Sequence, residues 1–141
     1  MMLADSRLDS AQTFVDVLDE EAVTAMEKIF HEMEQQAAKF LQVLEQDPYA
    51  PPSDQPLDSE LLGVLVEQGK VVRVTDSVVF AASAYRDMTQ RIVEHMKAQG
   101  SITVAEARTM FDSSRKYVLP LLEYMDRQQI TRRSGDERVL R

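Results

Sequence analysis

Residues 101–141 read SITVAEARTMFDSSRKYVLPLLEYMDRQQITRRSGDERVLR. Within this stretch Thr103-Val104-Ala105-Glu106 has the S/T-x-x-E spacing of a capping box, in which two side chains three residues apart satisfy orphaned backbone N–H groups reciprocally. A short helix is therefore predicted from Val104 to Phe111. Asp112 or Ser113 is the expected cap of a second helix, on which Val118, Leu121, Leu122 and Met125 recur at the spacing of one apolar face. Ile130 to Leu140 reads as a hairpin around Ser134-Gly135, where glycine permits the positive φ that tight turns need. A three-residue turn separates the two helices, and a two-stranded ribbon follows them.

Working upstream, Tyr85, Met88, Ile92 and Met96 predict a helix over about 82–99 that stops at Gly100, followed by a short strand at Ser101-Ile102-Thr103. Helix, short strand, helix, tight turn, helix, hairpin is the order of a winged helix-turn-helix, here residues 82–141. In the first half, Asp19 reads as an N-cap with Glu20 and Glu21 in the first turn. Val23, Met26, Phe30, Met33, Ala37, Phe40 and Leu44 then mark one long helix, about 20–46. Pro48, Pro51, Pro52 and Pro56 make the next segment a turn-rich connection. Asp58 caps a helix carrying Leu61, Leu62, Leu65 and Val66, and Gly69 ends it. Val71, Val72 and Val74 face Val78, Val79 and Phe80 across a predicted hairpin turn.

Residues 19–81 thus read as a second winged-helix module whose middle helix is eroded, and residues 1–18 as a linker or the end of a preceding element. The expected fold class is mostly α with small β-hairpins (α+β), built as tandem winged helix-turn-helix modules.

Composition narrows function by exclusion. The absence of cysteine removes disulfides and thiolate metal sites. The longest apolar stretches fall far short of the ~20 residues that span a bilayer, and the N-terminus lacks a signal-peptide pattern. A cytoplasmic protein with no membrane partner is expected. No phosphate-binding glycine loop is present, because Gly69-Lys70 lacks both the upstream glycine and the following hydroxyl. His31 and His95 each fall mid-helix without a second histidine at ligand spacing, and Glu20-Glu21 and Asp136-Glu137 are neighbours that point apart. The reading is therefore not an enzyme, with no cofactor and no metal.

Charge points to binding. The net charge of −8 conceals an asymmetry: residues 1–82 hold 5 basic against 16 acidic side chains, and residues 83–141 hold 11 against 8. Ser114, Arg115 and Lys116 fall at the start of the helix that this fold presents to nucleic acid, where charge, hydroxyl and backbone N–H groups converge. Arg132, Arg133, Arg138 and Arg141 crowd the adjoining hairpin. Arg133 and Arg138 are expected to oppose each other across the turn, where like charges call for an anion between them. Tyr117 is a further candidate at the rim. The fold alone leaves a DNA-binding transcriptional regulator and a protein-interaction module as alternatives. A regulator would usually dimerise, and only the 20–46 helix offers a seam; a monomer is expected.

The motifs Ile102-Thr103-Val104-Ala105-Glu106, Ser114-Arg115-Lys116-Tyr117, Leu121-Leu122-Glu123-Tyr124, Asp126-Arg127, Thr131-Arg132-Arg133 and Gly135-Asp136-Glu137-Arg138-Val139-Leu140 together resemble the last winged helix of the bacterial selenocysteine-specific translation elongation factor. The first half is similar to that factor's penultimate winged helix through Pro48-Tyr49-Ala50-Pro51-Pro52-Ser53, Glu60-Leu61-Leu62, Leu65-Val66-Glu67-Gln68-Gly69-Lys70 and Val78-Val79-Phe80. The resemblance implies a tether to an mRNA hairpin, the selenocysteine insertion element, and through the full-length factor to the ribosome. By position it implies that Ser114, Arg115 and Lys116 meet the RNA backbone. Arg132, Arg133, Gly135, Asp136 and Arg138 would then form the wing side, around an extruded base. The family's GTPase and tRNA-binding regions are not among these residues, so a C-terminal fragment or a stand-alone piece is expected.

Overall fold

A computed structural model describes residues 19–53 and 57–141; the expected linker 1–18 and Pro56 lie outside them. Helix α1 spans Glu20–Gln46. Asp19 starts it as expected, its side chain accepting from the Ala22 N–H at 2.6 Å. Up to Gln36 the helix belongs to one compact unit, and Ala37–Arg141 forms another. Along the apolar stripe, Phe40 and Leu44 are buried, whereas Val23, Met26, Phe30 and Met33 are exposed.

In the larger unit α2 (Ser59–Glu67) is capped by Asp58, whose carboxylate accepts from the Glu60 N–H at 2.8 Å. Its end is a Schellman turn: Lys70 N–H donates to Leu65 C=O and Gly69 N–H to Val66 C=O, with Gly69 at φ +72°. Strands β1 (Val71–Arg73) and β2 (Val79–Ala81) follow, then α3 (Ala82–Gln99), β3 (Ile102–Thr103), α4 (Val104–Phe111), α5 (Arg115–Arg127), β4 (Thr131–Ser134) and β5 (Glu137–Leu140). The three-stranded sheet has the order β3-β5-β4 and is antiparallel throughout.

Why both strands of the first hairpin are apolar on successive positions follows from their register. Val71 pairs with Ala81 and Val72 with Phe80, and adjacent pairs face opposite sides of a ribbon. Val71 and Ala81 enter a small core with Phe40, Leu44, Leu65 and Ala84. Phe80 and the loop residues Val74 and Val78 enter the large core, with Met88, Ile92, Met96, Ile102, Phe111, Val118, Leu121, Leu122 and Met125. The hairpin is a wall between two cores. Arg127 on α5 strengthens that contact by donating to the Val74 carbonyl at 2.8 Å.

One expectation is corrected at the α4–α5 turn. Neither Asp112 nor Ser113 caps α5. Asp112 adopts the left-handed conformation (φ 46°, ψ 47°) and ends α4, a role that a short polar side chain tolerates. Ser114, extended at φ −112°, is the N-cap residue, and it makes no side-chain cap hydrogen bond. Helix α5 runs continuously through Pro120, whose missing N–H leaves the Lys116 carbonyl without its helical donor.

The shared core makes a direct prediction. Phe80 is fully buried, so Phe80→Ala should cost about 3–5 kcal/mol. In urea unfolding the loss should appear in a single cooperative transition that includes the C-terminal helices. Two separated transitions, with only the first moved, would mean that the hairpin and those helices do not share a core.

Candidate nucleic-acid interface

The start of α5 and the turn of the wing are brought together over the N-terminus of α4. Thr103 holds that N-terminus with the predicted capping box: the Glu106 N–H donates to Thr103 Oγ1 at 3.1 Å, and the Thr103 N–H donates to Glu106 Oε1 at 3.0 Å. The second oxygen of Glu106 lies 3.1 Å from His95 Nε2 on α3. Held first by the Thr103 backbone N–H, then by the Thr103 hydroxyl and His95, the Glu106 carboxyl sits below its ordinary value of 4.5.

On α5 the residues divide by face. Val118, Leu121, Leu122 and Met125 are buried as expected. Arg115, Leu119 and Glu123, four residues apart, form a second stripe that lines a cleft with Thr103, Val104 and Ala105. The wing closes the other side with Arg133, Asp136 and Arg138. The cleft encloses about 350 Å³, within the range of small-ligand pockets.

The wing turn is Gly135-Asp136, with Ser134 opposite Glu137. Gly135 has φ +64° and nothing near the position of a Cβ, so its backbone rather than crowding calls for glycine. Arg133 Nε donates to the Gly135 carbonyl at 3.0 Å, which folds that arginine over the turn.

Arg133 and Arg138 are register partners, as predicted. The anion that such a pair calls for is supplied from within the protein. Arg138 is only 4% exposed, and its Nε donates to Asp126 Oδ2 on α5 at 3.3 Å. The other oxygen of Asp126 accepts from the buried Thr131 hydroxyl at 2.6 Å. Arg138 therefore differs from the solvent-facing cation expected from sequence: its charge is met inside, and it contributes an edge to the cleft.

Ser114, Arg115 and Lys116 are exposed at the helix start, with Tyr117 half-buried behind them. Lys116 leans away from the cleft: its Nζ donates to Ser53 Oγ at 2.8 Å and lies 5.3 Å from the Tyr117 ring centroid. Arg132 is exposed but alternates to the opposite face of β4 from Arg133. So the structure joins Arg115, Arg133, Asp136 and Arg138 in one cleft and leaves Lys116 and Arg132 on its flanks. Sequence reasoning missed Leu119 and Glu123, although their spacing from Arg115 carried the signal. It also missed the backbone start of α4, which only the fold brings near.

Comparison with known proteins bears on this geometry. Residues 94–140 match the family described as "Elongation factor SelB, winged helix". Over these residues the chain is similar to that family's winged helix. A curated selenocysteine-specific elongation factor from Desulfomicrobium baculatum is 26% identical over 83 residues, 59% of this chain and 13% of that protein. The mRNA-binding domain of E. coli SelB, solved in complex with SECIS RNA, aligns at TM-score 0.55 and 26% identity, over 58% of this chain and 68% of that one. A bacterial selenocysteine-specific elongation factor, EF-Sec, aligns at TM-score 0.64 over 79% of this chain and 19% of that one. At 19% identity it shows a shared fold. The chain thus spans about an eighth of the length of the curated relative from Desulfomicrobium baculatum. Among the described residues no helix is long and apolar enough to cross a membrane.

Two predictions follow from the site's electrostatics. Asp126→Ala strands the buried Arg138 and Thr131 and should cost about 3–5 kcal/mol, whereas exposed Arg133→Ala should stay within about 0.5 kcal/mol. Thermal unfolding of the two variants checks the contrast. Because the Glu106 carboxyl is depressed in the folded state, its contribution is present above about 4.5 and is lost as pH falls through the folded value. Glu106→Gln, which keeps the capping geometry, should therefore flatten the acid limb of stability below about pH 4.5.

Proposed function

We propose that this chain binds an mRNA hairpin of the selenocysteine insertion type and tethers a longer translation factor to it. The observation that carries this reading is the cleft between the α5 start and the wing. It combines two kinds of group: the cations Arg115 and Arg133, and the carboxylates Glu123 and Asp136. A phosphate alone would be repelled by the carboxylates. A base turned out of its stack has both acceptor and donor atoms on its edge and suits the mixture, and RNA readers commonly choose such loop bases. Ser114 with its uncapped N–H groups, Lys116 and Arg132 then grip the backbone on either side, as helix starts and cations do with phosphate. The similarity to the SelB mRNA-binding domain, which was solved on SECIS RNA, supports the choice of RNA over DNA.

On this reading the chain acts as a monomer in the cytoplasm and contributes binding, not catalysis. It is the mRNA end of a factor that delivers selenocysteinyl-tRNA to the ribosome. Residues 82–141 form the hairpin-reading module, and residues 19–81 are a degenerate winged helix that supports it.

Fluorescence titration with a short bulged RNA hairpin, the same hairpin with a scrambled loop, and the duplex DNA equivalent tests the proposal. The intact hairpin should bind tightest. Arg115→Ala should weaken it and lower the slope of log affinity against log salt by about one per lost phosphate contact. Tighter binding to DNA, or indifference to the loop, would instead indicate a transcriptional regulator.

A further inference from the structure

The first half of the chain touches the recognition helix at a point that its role as a supporting module does not require. Tyr49, in the proline-rich connection after α1, packs its ring against Phe111 at the end of α4, centroid to centroid 5.1 Å. Its hydroxyl donates to the Asp87 carboxylate on α3 and accepts from Arg91 Nη1 at 3.3 Å. The bond to Asp87, foremost, raises the Tyr49 hydroxyl above its ordinary pKa, so it remains a donor.

Arg91 completes the clamp. Its guanidinium lies 4.8 Å from the Phe111 ring centroid, and its Nη2 donates to the Met110 carbonyl at 3.2 Å, one of the last carbonyls of α4. The carbonyl of Tyr49 accepts from Ser113 Oγ at 2.8 Å, inside the turn that launches α5. Four residues further along the connection, Ser53 accepts from Lys116. The α4–α5 turn holds Asp112 in a left-handed conformation, closed by the Ser113 N–H on the Arg108 carbonyl and the Asp112 N–H on the Thr109 carbonyl. The Tyr49 clamp adds a long-range hold on the same turn through the Ser113 hydroxyl, and Tyr49 is not among the residues that line the cleft.

We propose that Tyr49 is a positioning residue for RNA recognition: clamped by Asp87 and Arg91, it fixes the turn through Ser113 and so sets where Arg115 and Lys116 stand. The proposal rests on the RNA-hairpin reading above. Tyr49 itself touches no phosphate in this arrangement. Its removal should loosen the helix start without changing the number of ionic contacts.

The test is Tyr49→Phe in the full chain, which keeps the ring and backbone and removes only the hydroxyl. In the free protein, amide hydrogen exchange at Ser113, Tyr117 and Val118 should quicken, while exchange at Ile92 and Met96 stays unchanged. The dissociation constant for the bulged RNA hairpin should rise about three- to tenfold, the scale of one lost hydrogen bond, with an unchanged salt slope. Arg115→Ala should also cost less in the Tyr49→Phe background than alone. Unchanged exchange, unchanged affinity, additive losses or a reduced salt slope would each overturn the proposal, the last by making Tyr49 a direct contact. A starting protein that ignores the hairpin while its variant still shows the local exchange change would refute the RNA reading and leave the clamp standing.

Discussion

A single carboxylate, Asp126, ties the wing to the recognition helix. One of its oxygens receives the Thr131 hydroxyl at the start of β4, and the other receives the Arg138 guanidinium in the middle of β5. Both donors are buried, so neither has water as an alternative partner. Replacing the carboxylate would leave a charge and a hydroxyl stranded together, which is why such a knot is rigid even where it adds little net stability. Its consequence is geometric. Because β5 is the central strand, fixing Arg138 also fixes β3 on one side and Arg133 on the other. The two walls of the cleft then keep their separation.

A second constraint comes from the first half of the chain. The β1–β2 hairpin has apolar residues on both faces and separates a small core from a large one. Residues 37–81 and 82–141 are thereby bound into one packed body. The contacts of Tyr49 and Ser53 with the α4–α5 turn extend that coupling to the proposed binding surface. A protein that grips a flexible RNA loop gains from such preorganisation, since ordering that is complete before contact need not be offset by binding energy.

How much of this was legible in the sequence depended on the range of the interaction. The capping box of Thr103 and Glu106, the Asp58 cap and the helix end at Gly69 are set by neighbours within a few residues, and they appear where the local pattern put them. The start of α5 was placed one or two residues early, because Asp112 resembles a cap in isolation. In the structure it instead ends α4 in the left-handed conformation, its N–H on the Thr109 carbonyl and that of Ser113 on the Arg108 carbonyl. Arg138 was read as a surface cation for a similar reason. Strand alternation puts it on the face of Arg133, yet its burial depends on Asp126, twelve residues away on another element. The basic character of the region was visible; the division into a cleft and two flanks was not.

The arrangement that remains is a small mixed-charge cleft between a helix start and a wing, held from behind by side chains that do not face it. The most direct measurement of its role is a residue-by-residue map of amide chemical-shift changes as the bulged RNA hairpin is added to the chain. Changes centred on Arg115, Leu119, Arg133 and Asp136, with Glu20–Gln36 silent, are predicted. Changes centred on the acidic α1 helix, with the cleft silent, would contradict it.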